Sequence, residues 1–188
     1  FLENGFEKAS LKAICERAGV TTGALYKRYK GKEDLFCAVV DQTVKDLYEV
    51  AHSRGDRDPA AMSDAELIKA WDMDGPDMMW WMRFLYDRHD DFVLLLSRSD
   101  GTRYANFQHD WVEVLTKATS AFLAEAQRRV ICRTDVGPEE LHILLSAFWT
   151  TIYEPFIHGF DWEQIEQHCR IVCKLFDWHK ALEFHVEK

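Results

Sequence analysis

The sequence has few of the features that mark secreted or membrane proteins. Its five cysteines are an odd number without paired spacing, which favours reduced thiols over a disulfide framework. Uninterrupted apolar runs reach only five residues, as from Phe92 to Leu96, whereas a membrane helix needs about 20. A signal-peptide pattern and Asn-x-Ser/Thr acceptors are both absent. These absences predict a cytoplasmic protein.

The signature motifs of common enzymes are absent as well. The sequence contains no glycine-rich phosphate loop, no Gly-x-Ser-x-Gly and no His-Glu-x-x-His. Cys169 and Cys173 stand beside His168, but His168 and Cys169 point about 100° apart on a helix and do not converge on one metal ion. We therefore expect no enzymatic activity, no cofactor and no metal site. Redox sensing through a thiol stays open at this point, because it depends on exposed thiolate character.

Charge is unevenly distributed along the chain. The 23 basic and 32 acidic residues give a formal net charge of -9, which excludes a uniformly basic nucleic-acid binder. Residues 1–36 nevertheless carry a net charge of +2, so the remaining 152 residues carry -11. Four bases lie between Lys27 and Lys32, interleaved with Tyr26 and Tyr29. This cluster fits either a small anion-binding region or an ordinary charged surface exposed to solvent.

The periodicity predicts an all-α protein, because strand-type alternation is absent and glycines and prolines separate the periodic stretches. Ser10 is a plausible N-cap for a helix over 11–18, and Gly19 ends it. Thr21 caps a second short helix from Thr22 to about Tyr29. Further helices are predicted over 32–52, 64–71, 77–88, 91–97, 102–130 and 138–158, and from an Asp161 cap to about Phe184.

Two short helices joined at a glycine, the second presenting hydroxyl and basic groups, form a helix-turn-helix pattern. The residues resemble the tetracycline-repressor (TetR) family of bacterial transcriptional regulators. The resemblance rests on Gly5-Phe6, Ser10 to Cys15, Ala18 to Tyr26 and Tyr29 to Leu35. It implies a DNA-binding domain at 1–46 and a helical ligand-binding and dimerisation domain at 47–188. Since the family has a further first helix, we expect most of that helix to lie upstream of Phe1.

The resemblance also implies roles in DNA binding for single residues. Lys or Arg can donate to guanine, and Ala can meet a thymine methyl group. Gly23 would allow close approach to the DNA backbone, and Lys32 would hold a phosphate together with the N-terminus of its helix. The candidates for base edges are Thr22, Ala24, Lys27 and Arg28, and those for phosphates are Thr21, Tyr26 and Lys32.

The larger domain is expected to bind an effector and a second copy of the chain. Helices that are apolar over more than one face must bury against two neighbours, which favours a homodimer on a pseudo-palindromic operator. The predicted interface residues are Leu141, Leu145, Phe148, Ile152, Phe156, Ile165, Val172 and Phe176. The predicted effector pocket is lined by Trp81, Phe84, Phe107, Trp111, Trp149 and Tyr153. For any one of these aromatic residues a plain core position is the competing interpretation.

The sequence thus predicts a DNA-binding transcriptional repressor of the bacterial cytoplasm. A small apolar or aromatic effector would release it from a double-stranded operator by favouring a different conformation. The alternative is a coregulator on the same fold that responds to a protein partner. No membrane association is expected from either interpretation.

Overall fold

The computed structural model describes residues 1–55, 57–72 and 75–185, and within these ranges the chain is helical with no strand. The prediction of an all-α fold is confirmed. The helices are α1 (Gly5–Lys8), α2 (Leu11–Ala18), α3 (Thr22–Tyr26), α4 (Lys32–Gly55), α5 (Asp64–Lys69), α6 (Gly75–Tyr86), α7 (His89–Ser97), α8 (Phe107–Arg128), α9 (Pro138–Ile157), α10 (Trp162–Leu175) and α11 (Trp178–Ala181), with a 3-10 turn at Pro59–Ala61. No helix in the described ranges is long and apolar enough to cross a membrane.

The chain divides into two compact units. The first contains residues 1–48 and 88–108, and the second contains residues 49–87 and 109–188. Residues 88–108 therefore belong with the N-terminal unit, although they are distant from it in sequence. The predicted boundary at residue 46 separates a DNA-binding domain from a ligand-binding domain. It is a functional boundary and stays a prediction.

Helix ends lie where local side chains supply the missing hydrogen bonds. The Ser10 hydroxyl accepts from the Ala13 amide at 3.4 Å, and the Asp161 carboxylate accepts from the Gln164 amide at 2.9 Å. Each replaces a bond that the first turn of a helix cannot make within itself. The expected stop at Gly19 is also present, since its φ of 68° is left-handed and suits glycine.

The predicted helix over 102–130 begins later than expected. Residues 102–106 form turns, and α8 starts at Phe107. The buried Ser99 hydroxyl lies 2.8 Å from the Leu95 carbonyl oxygen and 3.0 Å from that of Tyr104. The Arg103 amide donates to the Glu33 carboxylate at 2.9 Å. These contacts hold the segment in a non-helical form, and the last of them joins residues 70 apart in sequence.

The predicted helix up to Phe184 is wrong in its second half. The last long helix, α10, ends at Leu175, and Phe176 has a ψ of 65°, which is not helical. Asp177 then caps the short helix α11 by accepting from the Lys180 amide at 3.1 Å. The chain turns here because Phe176 packs against Phe148 and Trp178, with ring centroids 5.2 and 5.9 Å away.

A proline in α9 leaves one backbone carbonyl of the second unit without its helical partner. Pro155 has no amide hydrogen, so it cannot donate to the carbonyl of Thr151 four residues earlier. The Nε2 atom of His168 lies 2.7 Å from this carbonyl oxygen and donates to it. The imidazole thereby connects α10 to the Thr151 carbonyl group of α9.

The second unit also contains a cavity at the turn between α10 and α11. Its volume is about 300 Å³, and it lies against the end of α5. Its lining residues are Trp71, Asp72, Cys173, Phe176, Asp177, Trp178 and His179.

Candidate nucleic-acid interface

Helices α2 and α3 form the predicted helix-turn-helix. The Val20 amide donates to the Cys15 carbonyl at 3.0 Å, which closes α2 after Gly19. Leu25 and Cys15 are buried and attach the pair to the first unit. Val20, which follows the turn at Gly19, is exposed. The second helix is shorter than predicted, because α3 ends at Tyr26.

Apart from Leu25, every residue of the segment from Thr21 to Arg28 is exposed. Seven of the eight predicted DNA-binding residues therefore lie on one short, accessible stretch, and Lys32 is half-buried. The seven are Thr21, Thr22, Gly23, Ala24, Tyr26, Lys27 and Arg28. A face of hydroxyl, methyl and basic groups of this kind is suited to the edges and phosphates of double-stranded DNA.

The two candidate phosphate contacts on this stretch keep a hydroxyl hydrogen to donate. The Thr21 oxygen accepts from the Ala24 amide at 3.1 Å, which uses a lone pair and leaves the O–H group available. Tyr26 is 58% exposed, and its hydroxyl has no hydrogen-bond partner in the described residues. Both groups can therefore donate to a phosphate oxygen without breaking a contact inside the protein.

Gly23 has space around it that a side chain would fill. A Cβ atom built there would approach only the Thr21 hydroxyl, at 3.9 Å, which is ordinary contact. Its backbone is in the helical region, so the conformation does not demand glycine either. Packing within the chain therefore gives no reason for glycine at this place. Close approach of a surface outside the chain would supply such a reason.

The electrostatics of the first unit favour an anion at this stretch. Glu3 pairs with Arg17 at 2.9 Å, which lowers the pKa of the Glu3 carboxyl, first through the hydrogen bond and then through charge. Asp34 accepts from the Lys30 amide at 2.9 Å. Lys27 and Arg28, by contrast, have no acidic partner among the residues that the structure describes. Two acids are thus engaged with groups of the chain, and two bases are left for an external anion.

Lys32 has a structural role that sequence reasoning missed. Its ammonium donates to the carbonyl oxygens of Glu7 at 2.8 Å and Ala9 at 3.2 Å, and it lies 4.6 Å from the centre of the Phe6 ring. These contacts tie the start of α4 to α1. An ammonium has three hydrogens, so one remains for the predicted phosphate contact.

Comparison with known proteins finds a matching family for the part of the chain that contains the helix-turn-helix. Residues 1–39 match the sequence profile described as "Bacterial regulatory proteins, tetR family". The chain carries the N-terminal domain of the TetR family. The predicted resemblance is thereby confirmed, and it covers the helix-turn-helix with α1 and the start of α4.

The relatives that match this chain are named as transcriptional regulators. The chain is 45% identical over 42 residues to the HTH-type transcriptional regulator UidR of Escherichia coli K12, a match covering 22% of this chain and 21% of UidR. It is 25% identical over 160 residues to the HTH-type transcriptional repressor AcnR of Corynebacterium glutamicum, covering 84% of this chain and 73% of AcnR. Both names describe transcriptional regulators.

The predicted effector-pocket residues are distributed over α6, α8 and α9. In α6, Trp81 and Phe84 have ring centroids 5.4 Å apart and are half-buried. In α8 and α9, Trp149 lies 5.7 Å from both Trp111 and Tyr153. Phe107 is buried in the first unit. None of the six lines the 300 Å³ cavity, so their assignment to a pocket stays a prediction.

Most of the predicted dimer-interface residues are buried within the chain itself. Leu141, Leu145, Ile152, Phe156, Ile165 and Val172 lie in the core of the second unit, and Phe148 and Phe176 are half-buried. A side chain already buried has little surface left for a partner. The exposed large apolar residues of α9 and α10 are Ile143, Ile171 and Leu175, at 60%, 56% and 67% exposure. Their signal was the i, i+4 spacing of Ile171 and Leu175, which forms a stripe separate from the core face.

The thiols and histidines of α10 do not form a metal site in the described part of the chain, where no group of three His, Cys, Asp or Glu side chains could hold an ion. Cys169 is buried, and burial raises the pKa of its thiol to about 12. A thiol with so high a pKa carries almost no thiolate at neutral pH, so Cys169 is a poor redox sensor.

Proposed function

We propose that the protein is a sequence-specific DNA-binding transcriptional regulator that reads its operator with α3. The observation that carries the proposal is the exposed stretch from Thr21 to Arg28. It combines available hydroxyl hydrogens, two bases without acidic partners and a glycine that the chain does not itself require. The match of residues 1–39 to the TetR family supports the same conclusion.

Within this proposal the residues have distinct tasks. Lys27 and Arg28 donate to base edges or adjacent phosphates, Ala24 offers a methyl contact, and Thr21 and Tyr26 bind phosphates. Lys32 positions α1 against α4 and donates its third hydrogen to a phosphate. The protein acts in the bacterial cytoplasm, where its operator is located.

The protein is proposed to act as a homodimeric repressor released by a small apolar or aromatic effector. The name of AcnR as a repressor supports the direction of control. The exposed Ile143, Ile171 and Leu175 on α9 and α10 provide apolar surface for a second copy. Two-fold symmetry would then place two α3 helices on half-sites about 34–36 Å apart.

The proposal is tested by selecting bound fragments from a genomic DNA library with the full-length protein. Binding to the selected operator is then measured across a salt series. Specific binding should weaken steeply with salt, because bound phosphates release counterions. Arg28→Ala should weaken binding. Removal of a base that contacts a phosphate should also reduce the slope of log affinity against log salt concentration by about one.

The matched control is Lys117→Ala, which removes an exposed base from α8 in the acidic second unit. It should leave both affinity and salt slope unchanged. Failure to enrich any sequence would overturn the proposal, and so would equal effects of the Arg28 and Lys117 variants.

A further inference from the structure

The cavity at the turn between α10 and α11 is open to solvent and is lined by aromatic and acidic side chains. Its volume of about 300 Å³ lies at the lower end of the range for small-molecule sites, about 300–1,000 Å³. It exists because the helix predicted to continue to Phe184 ends at Leu175. The aromatic residues that follow fold back toward the end of α5.

Aromatic rings form one part of the wall. Trp71 and Trp178 are buried, with ring centroids 6.1 Å apart and planes at 60°. Phe176 lies 5.9 Å from Trp178. Aromatic faces carry partial negative charge, so a wall of this kind attracts cations, and tryptophan does so most strongly.

Two carboxylates form the other part of the wall. One oxygen of Asp72 lies 3.2 Å from Nε2 of His179, which is also 3.0 Å from the Ile68 carbonyl oxygen. Asp177 caps α11, and its second oxygen lies 3.2 Å from the ammonium of Lys180. Lys180 is not part of the cavity lining, and its side chain is 87% exposed, so this ion pair is weak and easily exchanged.

We propose that this cavity binds a small organic ammonium ion. The two carboxylates supply charge, and Trp71, Trp178 and Phe176 supply faces for the alkyl groups around the nitrogen. An anion would be repelled by both carboxylates. A metal ion would lack a group of three ligating side chains within the described ranges.

The proposal does not rest on DNA recognition, because every residue of the cavity belongs to the second unit. It is tested by direct titration without DNA. A failure here therefore leaves the regulator proposal in place, and a failure to bind DNA leaves this proposal in place.

The probe is choline, compared with its uncharged isostere 3,3-dimethyl-1-butanol by ligand-observed NMR on the full-length chain. Choline should bind saturably and at least about fivefold more tightly than the isostere, because only the cation gains from the rings and carboxylates. Equal affinity of the two compounds, or no binding of choline at millimolar concentration, would overturn the proposal.

Substitutions at and beside the cavity test whether choline binds there. Asp72→Asn and Asp177→Asn each remove a charge but keep a hydrogen-bond acceptor, and each should weaken choline binding about threefold. Lys180→Gln should tighten binding, because it removes the cation that competes for Asp177. Trp178→Phe keeps a ring but weakens its attraction for cations, so binding should weaken as well.

The matched control is Asp161→Asn, which changes the capping aspartate of α10 outside the cavity. Circular dichroism confirms that each variant is folded. If the Asp161 variant lowers choline affinity as much as the Asp72 and Asp177 variants do, the binding is not at this cavity and the assignment is wrong.

Discussion

At the scale of single residues, Gly23 occupies a place where the chain itself has room for a side chain. A Cβ atom there would contact only the Thr21 hydroxyl, at 3.9 Å. Alanine favours a helix over glycine by up to about 1 kcal/mol. We therefore expect Gly23→Ala to leave the melting temperature unchanged or raise it, and to weaken operator binding.

Thermal unfolding and operator titration of the same preparation check this prediction. The control is Gly137→Ala, which also meets open space at an ordinary φ but lies in the second unit. It should not alter operator binding. A Gly23 variant that loses stability and retains full operator affinity would assign the glycine to folding.

Lys32 has contacts inside the chain in addition to its proposed contact with DNA. Two of its hydrogens are used by the carbonyl oxygens of Glu7 and Ala9, which fixes the ammonium at the start of α4. The lysine is therefore placed before any DNA arrives. Its replacement removes support for α1 together with the proposed phosphate contact, which makes Arg28 the cleaner variant for measuring the salt slope.

At the scale of helices, one imidazole of α10 supplies the hydrogen bond that Pro155 cannot donate within α9. His168 donates to the Thr151 carbonyl that Pro155 cannot reach. Loss of this donor leaves a part-buried acceptor unsatisfied, so His168→Ala should lower the free energy of unfolding by about 1–3 kcal/mol. Chemical denaturation measures the change.

A second variant tests the cause. In Pro155→Ala the new amide can donate to Thr151, so the loss of His168 should then cost less, with a coupling of about 0.5 kcal/mol or more. His158→Ala serves as the control, because this exposed histidine pairs with Glu154. Additive effects of the Pro155 and His168 changes would contradict the explanation.

The end of α8 contains an acid-sensitive contact. Hydrogen bonds from Arg128 and then Arg129 lower the pKa of Glu125 from 4.5 to about 2. A lowered pKa in the folded state stabilises the protein fully above the unfolded value and is lost as pH falls through the folded one. The stability difference between the wild type and Glu125→Gln should therefore shrink between pH 4.5 and 2.

Melting temperatures across this range check the prediction. Glu163→Gln is the comparison, because Glu163 is exposed and has no arginine partner in the described residues. A difference for Glu125→Gln that stays constant with pH would contradict the prediction.

Local chemistry made some helix boundaries predictable, and long-range contacts made others unpredictable. The caps at Ser10, Thr21 and Asp161 depend on residues three positions away and were predicted. The turns at 102–106 depend partly on Glu33, which lies far away in sequence. The end of α10 depends on packing of Phe176 against Phe148, which lies on another helix.

The candidate DNA site was predictable for the same reason. Its residues lie on one short segment, so their spacing alone places most of them on one exposed surface. The apolar surface proposed for a second copy was not predictable, because hydrophobicity alone does not show which apolar residues of α9 and α10 are buried within the chain. Leu141 and Leu145 are in the core, whereas Ile143 between them is exposed.

At the scale of the whole molecule, the exposed apolar residues of α9 and α10 predict how two copies associate. Ile171→Glu combined with Leu175→Glu places charge on this surface and should shift the mass in solution from twice the 22.0 kDa chain mass to the chain mass. Light scattering after gel filtration measures it. Val130→Glu is the control, since Val130 is equally exposed but lies outside both helices, and a double variant that stays dimeric would contradict the prediction.

The five thiols differ in burial, and this difference allows one of them to report on the second unit. Cys15, Cys37, Cys132 and Cys169 are buried, whereas Cys173 is half-buried and lies in the wall of the cavity. A small alkylating reagent should therefore label Cys173 first, and mass spectrometry of the digested protein can follow the rate. Any compound that fills the cavity should slow this labelling, so the native chain can report occupancy without an added fluorophore or an engineered cysteine.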